Sequence, residues 1–150
     1  GVTGDKQTLL TLSVTEDELL GIGGENMKGF YSSMKYFQSL NNPNNQTFVK
    51  AFKAKSGPKA VVGDVTQAAY LGPWLWKAAG EKAGSFDVAK VTAASKGLEM
   101  KRAPEGYVKI DPNHQLWSKS RIAQVLPNGQ FKVVYESKGL IKPNPFPKGY

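Results

Sequence analysis

Thr15-Glu16-Asp17-Glu18 is the densest acidic run in this 150-residue chain. Adjacent carboxylates could exchange protons or hold a divalent cation. The same four residues spell an S/T-x-x-E capping box, whose carboxylates also complement a helix dipole. His114 is the only histidine and cysteine is absent. A lone histidine builds no His-rich metal site, and here it sits in the turn-forming loop Asp111-Pro112-Asn113-His114. Without cysteine there is no thiol catalysis, disulfide, cysteine-ligated zinc or iron–sulfur centre. No serine or carboxylate stands in a recognisable motif with His114, so no nucleophile–base pair is visible. Gly21-Ile22-Gly23-Gly24 lacks the spacing of a phosphate loop, and no cofactor is expected. Tyr31, Tyr36 and Tyr70, with Met34, suit either core packing or a flat pocket wall.

The elements around these residues read as α/β. Thr8–Val14 is uncharged and rich in Leu, Thr and Val, the pattern of a buried parallel strand. The capping box then opens a short helix that Gly21, Gly23 and Gly24 stop. Thr15 and Glu16 follow the strand, where open α/β sheets place their ligands. Phe30–Phe37 reads as an aromatic strand. Asn41–Asn45 is a turn cluster with Pro43 suited to the first turn of the next helix. Asp64 is expected to N-cap a long helix whose stripe is Val65, Ala68, Ala69, Gly72, Trp76, Ala79 and Ala83. Pro73 removes a hydrogen bond to the carbonyl of residue 69 and should kink or split that helix. Asp87–Lys96 is a third short helix, closed by Gly97. Leu98–Lys101 and Tyr107–Ile110 read as strands. Arg121–Leu126 and Gln130–Tyr135 read as a hairpin around Pro127-Asn128-Gly129, with Phe131, Val133 and Tyr135 on one face. The proline-rich tail 139–150 should run extended on the surface.

Apolar content of 40% and charged content of 21% fit a globular chain of one domain. No apolar run reaches the roughly 20 residues that span a bilayer, so direct membrane insertion is not expected. The net charge of +8 could attract nucleic acid, but the lysines are scattered and only Lys101-Arg102 and Lys119–Arg121 approach clusters. No nucleic-acid-binding signature accompanies them.

Four segments, TLLTLSVTEDELLGIG (8–23), GFYSSMKYFQSLNNPNNQTFVKAFKAKSG (29–57), QAAYLGPWLWKAAGEKAGS (67–85) and APEGYVKIDPNHQLWSKSRIAQVLPNGQF (103–131), carry a family resemblance. In this order they resemble the C-terminal part of urea- or short-chain-amide-binding proteins, substrate-binding subunits of ABC transporters in the branched-chain amino-acid-binding superfamily. The resemblance implies a partial periplasmic-binding-protein type I fold, with parts of both lobes and a C-terminal β-hairpin. It divides the chain into a second-lobe strand and helix (1–28), a crossover (29–40), helices (41–97), strands and hairpin (98–138) and a tail (139–150). Gly1–Lys6 reads like a loop in mid-protein, so a longer receptor with a missing N-terminal part is expected.

What the resemblance implies for function is capture of urea or a short-chain amide without bond cleavage. Lobe closure would present the ligand to an ABC permease in the periplasm or another extracytoplasmic space. It implies Thr15 and Glu16 as ligand contacts, Glu16 accepting from amide N–H groups, with Tyr31, Tyr36 and Tyr70 as pocket walls. Related urea binders carry a tryptophan in the crossover where this chain has Met34, which leaves the ligand open. By itself, such a piece is expected to bind weakly or not at all. Two other readings stay open: a cytoplasmic amide-sensing regulator of the same fold, and a small basic nucleic-acid-binding domain.

Overall fold

A computed structural model describes residues 1–149. In chain order its elements are β1 (Leu10–Thr11), α1 (Glu16–Ile22), α2 (Gly24–Met27), β2 (Tyr31–Met34), α3 (Pro43–Ser56), α4 (Asp64–Ala83), α5 (Val88–Ser95), β3 (Glu99–Ala103), β4 (Gly106–Ile110), β5 (Leu116–Trp117), β6 (Arg121–Val125) and β7 (Phe131–Glu136). The strands form two sheets, one ordered β1-β2-β6-β7 and one ordered β3-β4-β5. β1 runs parallel to β2, and every other pairing is antiparallel. The region 98–138 is therefore shared: β3–β5 make the second sheet, while β6 and β7 return to the first.

Each sheet buries its own cluster. Leu19 of α1 packs with Phe37, Ala123, Val125 and Phe131 on the first sheet. Ala79 of α4 and Val91 of α5 pack with Leu98 and Ile110 on the second. Between them, Tyr36, Leu40, Phe48 and Val62 form a third cluster that seats α3. Junction side chains belong to this layer: Tyr36, Phe37 and Val62 are completely buried.

The local punctuation acts as its residue types require. Asn42 caps α3 by accepting from the Asn45 N–H at 2.9 Å, with Pro43 in the first turn. Asp87 caps α5 by accepting from the Lys90 N–H at 3.0 Å. Glu18 Oε2 accepts from the Thr15 N–H at 2.7 Å and from its hydroxyl at 3.0 Å, which closes the start of α1. The Pro127-Asn128-Gly129 turn joins β6 to β7. Ile141 of the tail bridges Ser118.

Six sequence expectations need correction. The segment 8–14 is a two-residue edge strand, and Leu9, Leu10 and Leu12 are exposed, with no element among the described residues covering them. Gly21 lies inside α1 and does not end it; Gly23, at φ 87°, does. Asp64 is the first residue of α4, after the cap Gly63, and its side chain points to another segment. α4 also passes Pro73 as one helix. Ala69, Gly72 and Pro73 are all exposed, so the carbonyl that proline leaves free can meet water. The buried face of α4 is Asp64, Gln67, Leu71, Ala79 and Gly80, whereas Val65 and Trp76 of the expected stripe are exposed. Finally, a register shift between Ile122 and Ala123 takes Tyr135 off the Phe131–Val133 face and into solvent.

Gly24 sits where a side chain has no room. A Cβ there would lie 2.4 Å from the Gly129 N and 2.7 Å from the Pro127 O, both backbone atoms of the hairpin turn. Gly24→Ala should therefore displace the turn and cost about 1–3 kcal/mol, read as a lowered guanidinium midpoint. Gly21→Ala, in open space on α1, should instead stabilise slightly.

Candidate functional site

A buried polar cluster occupies the junction where the chain leaves β2, opposite the first turns of α1 and α4. The two helix starts are tied together. Asp17 Oδ2 accepts from the Gly63 N–H at 3.0 Å and from the Thr66 hydroxyl at 2.7 Å, and Thr15 Oγ1 accepts from the Asp64 N–H at 3.3 Å. Gly63 permits this approach, since a Cβ on it would meet Thr15 Oγ1 at 2.5 Å.

Lys35 is the cation of the cluster. Its ammonium lies 3.3 Å from Asp64 Oδ1 and 3.8 Å from Glu105 Oε1, and it donates to Gln67 Oε1 at 3.1 Å. Asp64 Oδ1 also accepts from the Tyr36 N–H at 2.9 Å. Glu105 comes from the turn between β3 and β4, so Lys35 links the two sheets. Arg121 reinforces the link: Nη2 donates to the Glu105 carbonyl at 3.0 Å and Nη1 to the Lys35 carbonyl, while Nε donates to Glu136 at 2.7 Å. Gln38 ties the neighbouring loops, donating from its N–H to Glu16 Oε1 at 2.8 Å and accepting from the Val62 N–H at 2.8 Å.

Several polar atoms in this region lack a hydrogen bond. Both carboxyl oxygens of Glu105, Oε2 of Glu16 and Nε2 of Gln67 are buried without a hydrogen bond. Buried polar groups are ordinarily satisfied, so such a group marks a place for a ligand or water. Burial raises the Glu16 carboxyl to about 8 against the pull of the Gln38 N–H. Glu105 is also raised by burial, partly offset by Lys35. Burial thus favours the uncharged acid form of Glu16, which can donate as well as accept.

Thr15, Glu16 and Tyr36 are therefore brought to one junction. Tyr36 is buried there, but its hydroxyl is spent on Asn45 Oδ1 at 2.7 Å. Tyr31 begins β2 at the opposite end, its hydroxyl accepting from Gln124 at 3.2 Å. Tyr70 lies on the outer face of α4, 42% exposed, and packs on Phe48 with ring centroids 4.5 Å apart. Met34 packs against the Leu19–Phe37 core. Lys35, Gln67, Glu105 and Arg121 escaped the sequence reading. Lys35 carried a signal, as the only charged residue in the aromatic strand segment; Glu105, in a Pro-Glu-Gly turn, carried none.

Among known proteins, a family described as a periplasmic binding protein domain matches residues 1–150. This chain belongs to that family. The fold is a partial periplasmic binding protein type I fold of mixed α/β class. A substrate-binding protein of an amino-acid ABC transporter from Pseudomonas fluorescens Pf-5 superimposes with a TM-score of 0.77 over 93% of this chain and 39% of its own, at 22% identity. A Rhodopseudomonas palustris HaA2 solute-binding protein solved with p-hydroxybenzoic acid is 27% identical, with a TM-score of 0.74 over 89% of this chain and 38% of its own. A leucine-binding protein from Thermotoga maritima MSB8 is 26% identical, with a TM-score of 0.65 over 79% of this chain and 33% of its own. A Geobacillus stearothermophilus protein named limonene hydroxylase is 32% identical over 124 residues, 83% of this chain and 23% of that protein. This periplasmic binding protein domain thus spans under two-fifths of the solved relatives it matches.

Proposed function

We propose that this chain is part of an extracytoplasmic solute-binding protein of an ABC-type uptake system, and that its solute is urea or a short-chain amide. The observation that carries the ligand class is a set of buried groups beside Lys35 whose hydrogen-bonding capacity is not filled: acceptor oxygens on Glu105, which has only the Lys35 ammonium at 3.8 Å and the nearby Ser118 hydroxyl, and a donor on Gln67 Nε2. An uncharged amide supplies the complement, N–H groups for Glu105 and a carbonyl for Gln67 Nε2. An anion fits less well, because the Asp64 and Glu105 carboxyls already flank the Lys35 ammonium. Binding proceeds by hydrogen bonding and closure of the receptor's lobes around the solute, without bond cleavage. The remainder of a longer receptor supplies the other wall, and a membrane permease receives the closed form. No helix among the described residues is long and apolar enough to cross a membrane.

The test is an NMR titration of the chain with acetamide and with dilute urea, using acetate as the charged control. Saturable shifts at Gln67 and around Glu105 are expected for the amides only, with millimolar affinity, on the order of 4 kcal/mol. Glu105→Gln, which replaces half of the acceptor edge by a donor, should weaken amide binding about tenfold. Equal shifts with acetate, or none near Gln67 with either amide, would overturn the reading.

A further inference from the structure

A second cleft lies away from the buried cluster, between α3, α4 and β3, with a volume near 830 Å³. That size suits a small molecule. Its apolar wall is aromatic: Phe48, Phe52 and Tyr70 line it, with Phe48 centred 4.5 Å from Tyr70 and 6.2 Å from Phe52. Tyr70 is 42% exposed on a helix whose other face is already packed. Two cations, Lys55 and Arg102, line the same cleft, and no carboxylate does. Both are exposed, and neither has a carboxylate within 4.0 Å among the described residues. Asn44 adds an amide.

We propose that this cleft binds a planar aromatic carboxylate, with the rings of Phe48, Phe52 and Tyr70 against its π face and Arg102 and Lys55 at its anionic end. The charge pattern separates the two sites. The junction crowds carboxylates round one lysine, whereas this cleft offers two unpaired cations and no carboxylate. Guanidinium matches a carboxylate with two parallel donors, and ring stacking adds to area burial. An aliphatic acid would use only the cations and a neutral aromatic only the rings, so the combination selects a ligand that has both.

The probe is 2-naphthoate, titrated into the full chain at low ionic strength and followed by NMR and by Tyr and Trp fluorescence. The controls are 2-naphthamide and hexanoate. Saturable shifts confined to the Phe48, Phe52 and Tyr70 surroundings are expected, with naphthoate bound about tenfold tighter than either control. Arg102→Gln and Tyr70→Ala, both at exposed positions, should each weaken naphthoate about tenfold, with circular dichroism verifying the fold. Glu105→Gln should leave naphthoate affinity unchanged, which keeps this proposal separable from the amide site. Naphthamide binding as tightly as naphthoate, an Arg102→Gln variant with wild-type affinity, or shifts centred on the Lys35 junction would each overturn it.

Discussion

Replacing Arg121 with methionine should lower the stability of this chain by about 3–5 kcal/mol, read from guanidinium unfolding. Arg121 is only 4% exposed, and its three donating nitrogens reach Glu136, the Lys35 carbonyl and the Glu105 carbonyl. The Lys35 carbonyl lies where the chain leaves the first sheet, and the Glu105 carbonyl lies in the turn of the second. Methionine keeps the apolar stem but leaves both carbonyls dry, at about 1–3 kcal/mol each. Arg121→Lys should recover less than half the loss, since one ammonium cannot address three acceptors with guanidinium geometry. Glu136→Gln should cost under about 1 kcal/mol, because Glu136 is 37% exposed on its side chain and water replaces the partner. A methionine variant within 1 kcal/mol of wild type would mean that the sheets are held by apolar packing and not by this clamp.

The same residues show what a sequence can and cannot disclose. Short-range signals were legible because their partners lie within three or four positions: Thr15 with Glu18, Asn42 with Asn45, Asp87 with Lys90. The hairpin was legible from Pro127-Asn128-Gly129 for the same reason. Burial was not, since it depends on what arrives from elsewhere. Thr8–Val14 has the composition of an inner strand yet lies at an edge, and composition does not say how many neighbours a strand will have. On α4 the apolar count favoured Val65 and Trp76, but the junction draws Asp64 and Gln67 inward because Tyr36 and Lys35 offer them polar partners. A polar residue that is buried for its hydrogen bonds is invisible to a hydrophobic stripe. The candidate site follows this rule. Thr15, Glu16 and Tyr36 could be named from strand-end position and family resemblance. Their partners could not, since Glu105 meets Lys35 across 70 residues of chain and only where the two sheets come together.

The pH dependence of folding tests that junction through Glu16. Glu16 is 1% exposed, and burial raises its carboxyl from the model-compound value of 4.5 to about 8. Between those values the unfolded chain has lost the proton that the folded chain keeps. Stability is therefore full below about pH 4.5, falls as pH rises through that window, and levels off above about pH 8. The loss attributable to this group is on the order of a few kcal/mol, given about 1.4 kcal/mol per pKa unit. Glu105, raised in the same direction, adds to the slope, whereas Glu136, lowered by Lys119 and Arg121 despite desolvation, acts only below about pH 4.5, where its stabilisation is lost as pH falls. Glu16→Gln isolates one contribution. Glutamine retains an acceptor for the Gln38 N–H and cannot ionise. The variant should match wild type near pH 4.5 and become more stable than it by a few kcal/mol near pH 8, as guanidinium midpoints across that range would record. Parallel curves would mean that Glu16 ionises freely in the folded chain, with water reaching Oε2. The junction would then be open to solvent, and Glu16 could meet an amide as an ionised acceptor. A diverging pair would leave it an uncharged acid in a dry site, where only a neutral solute can enter without the cost of a buried charge.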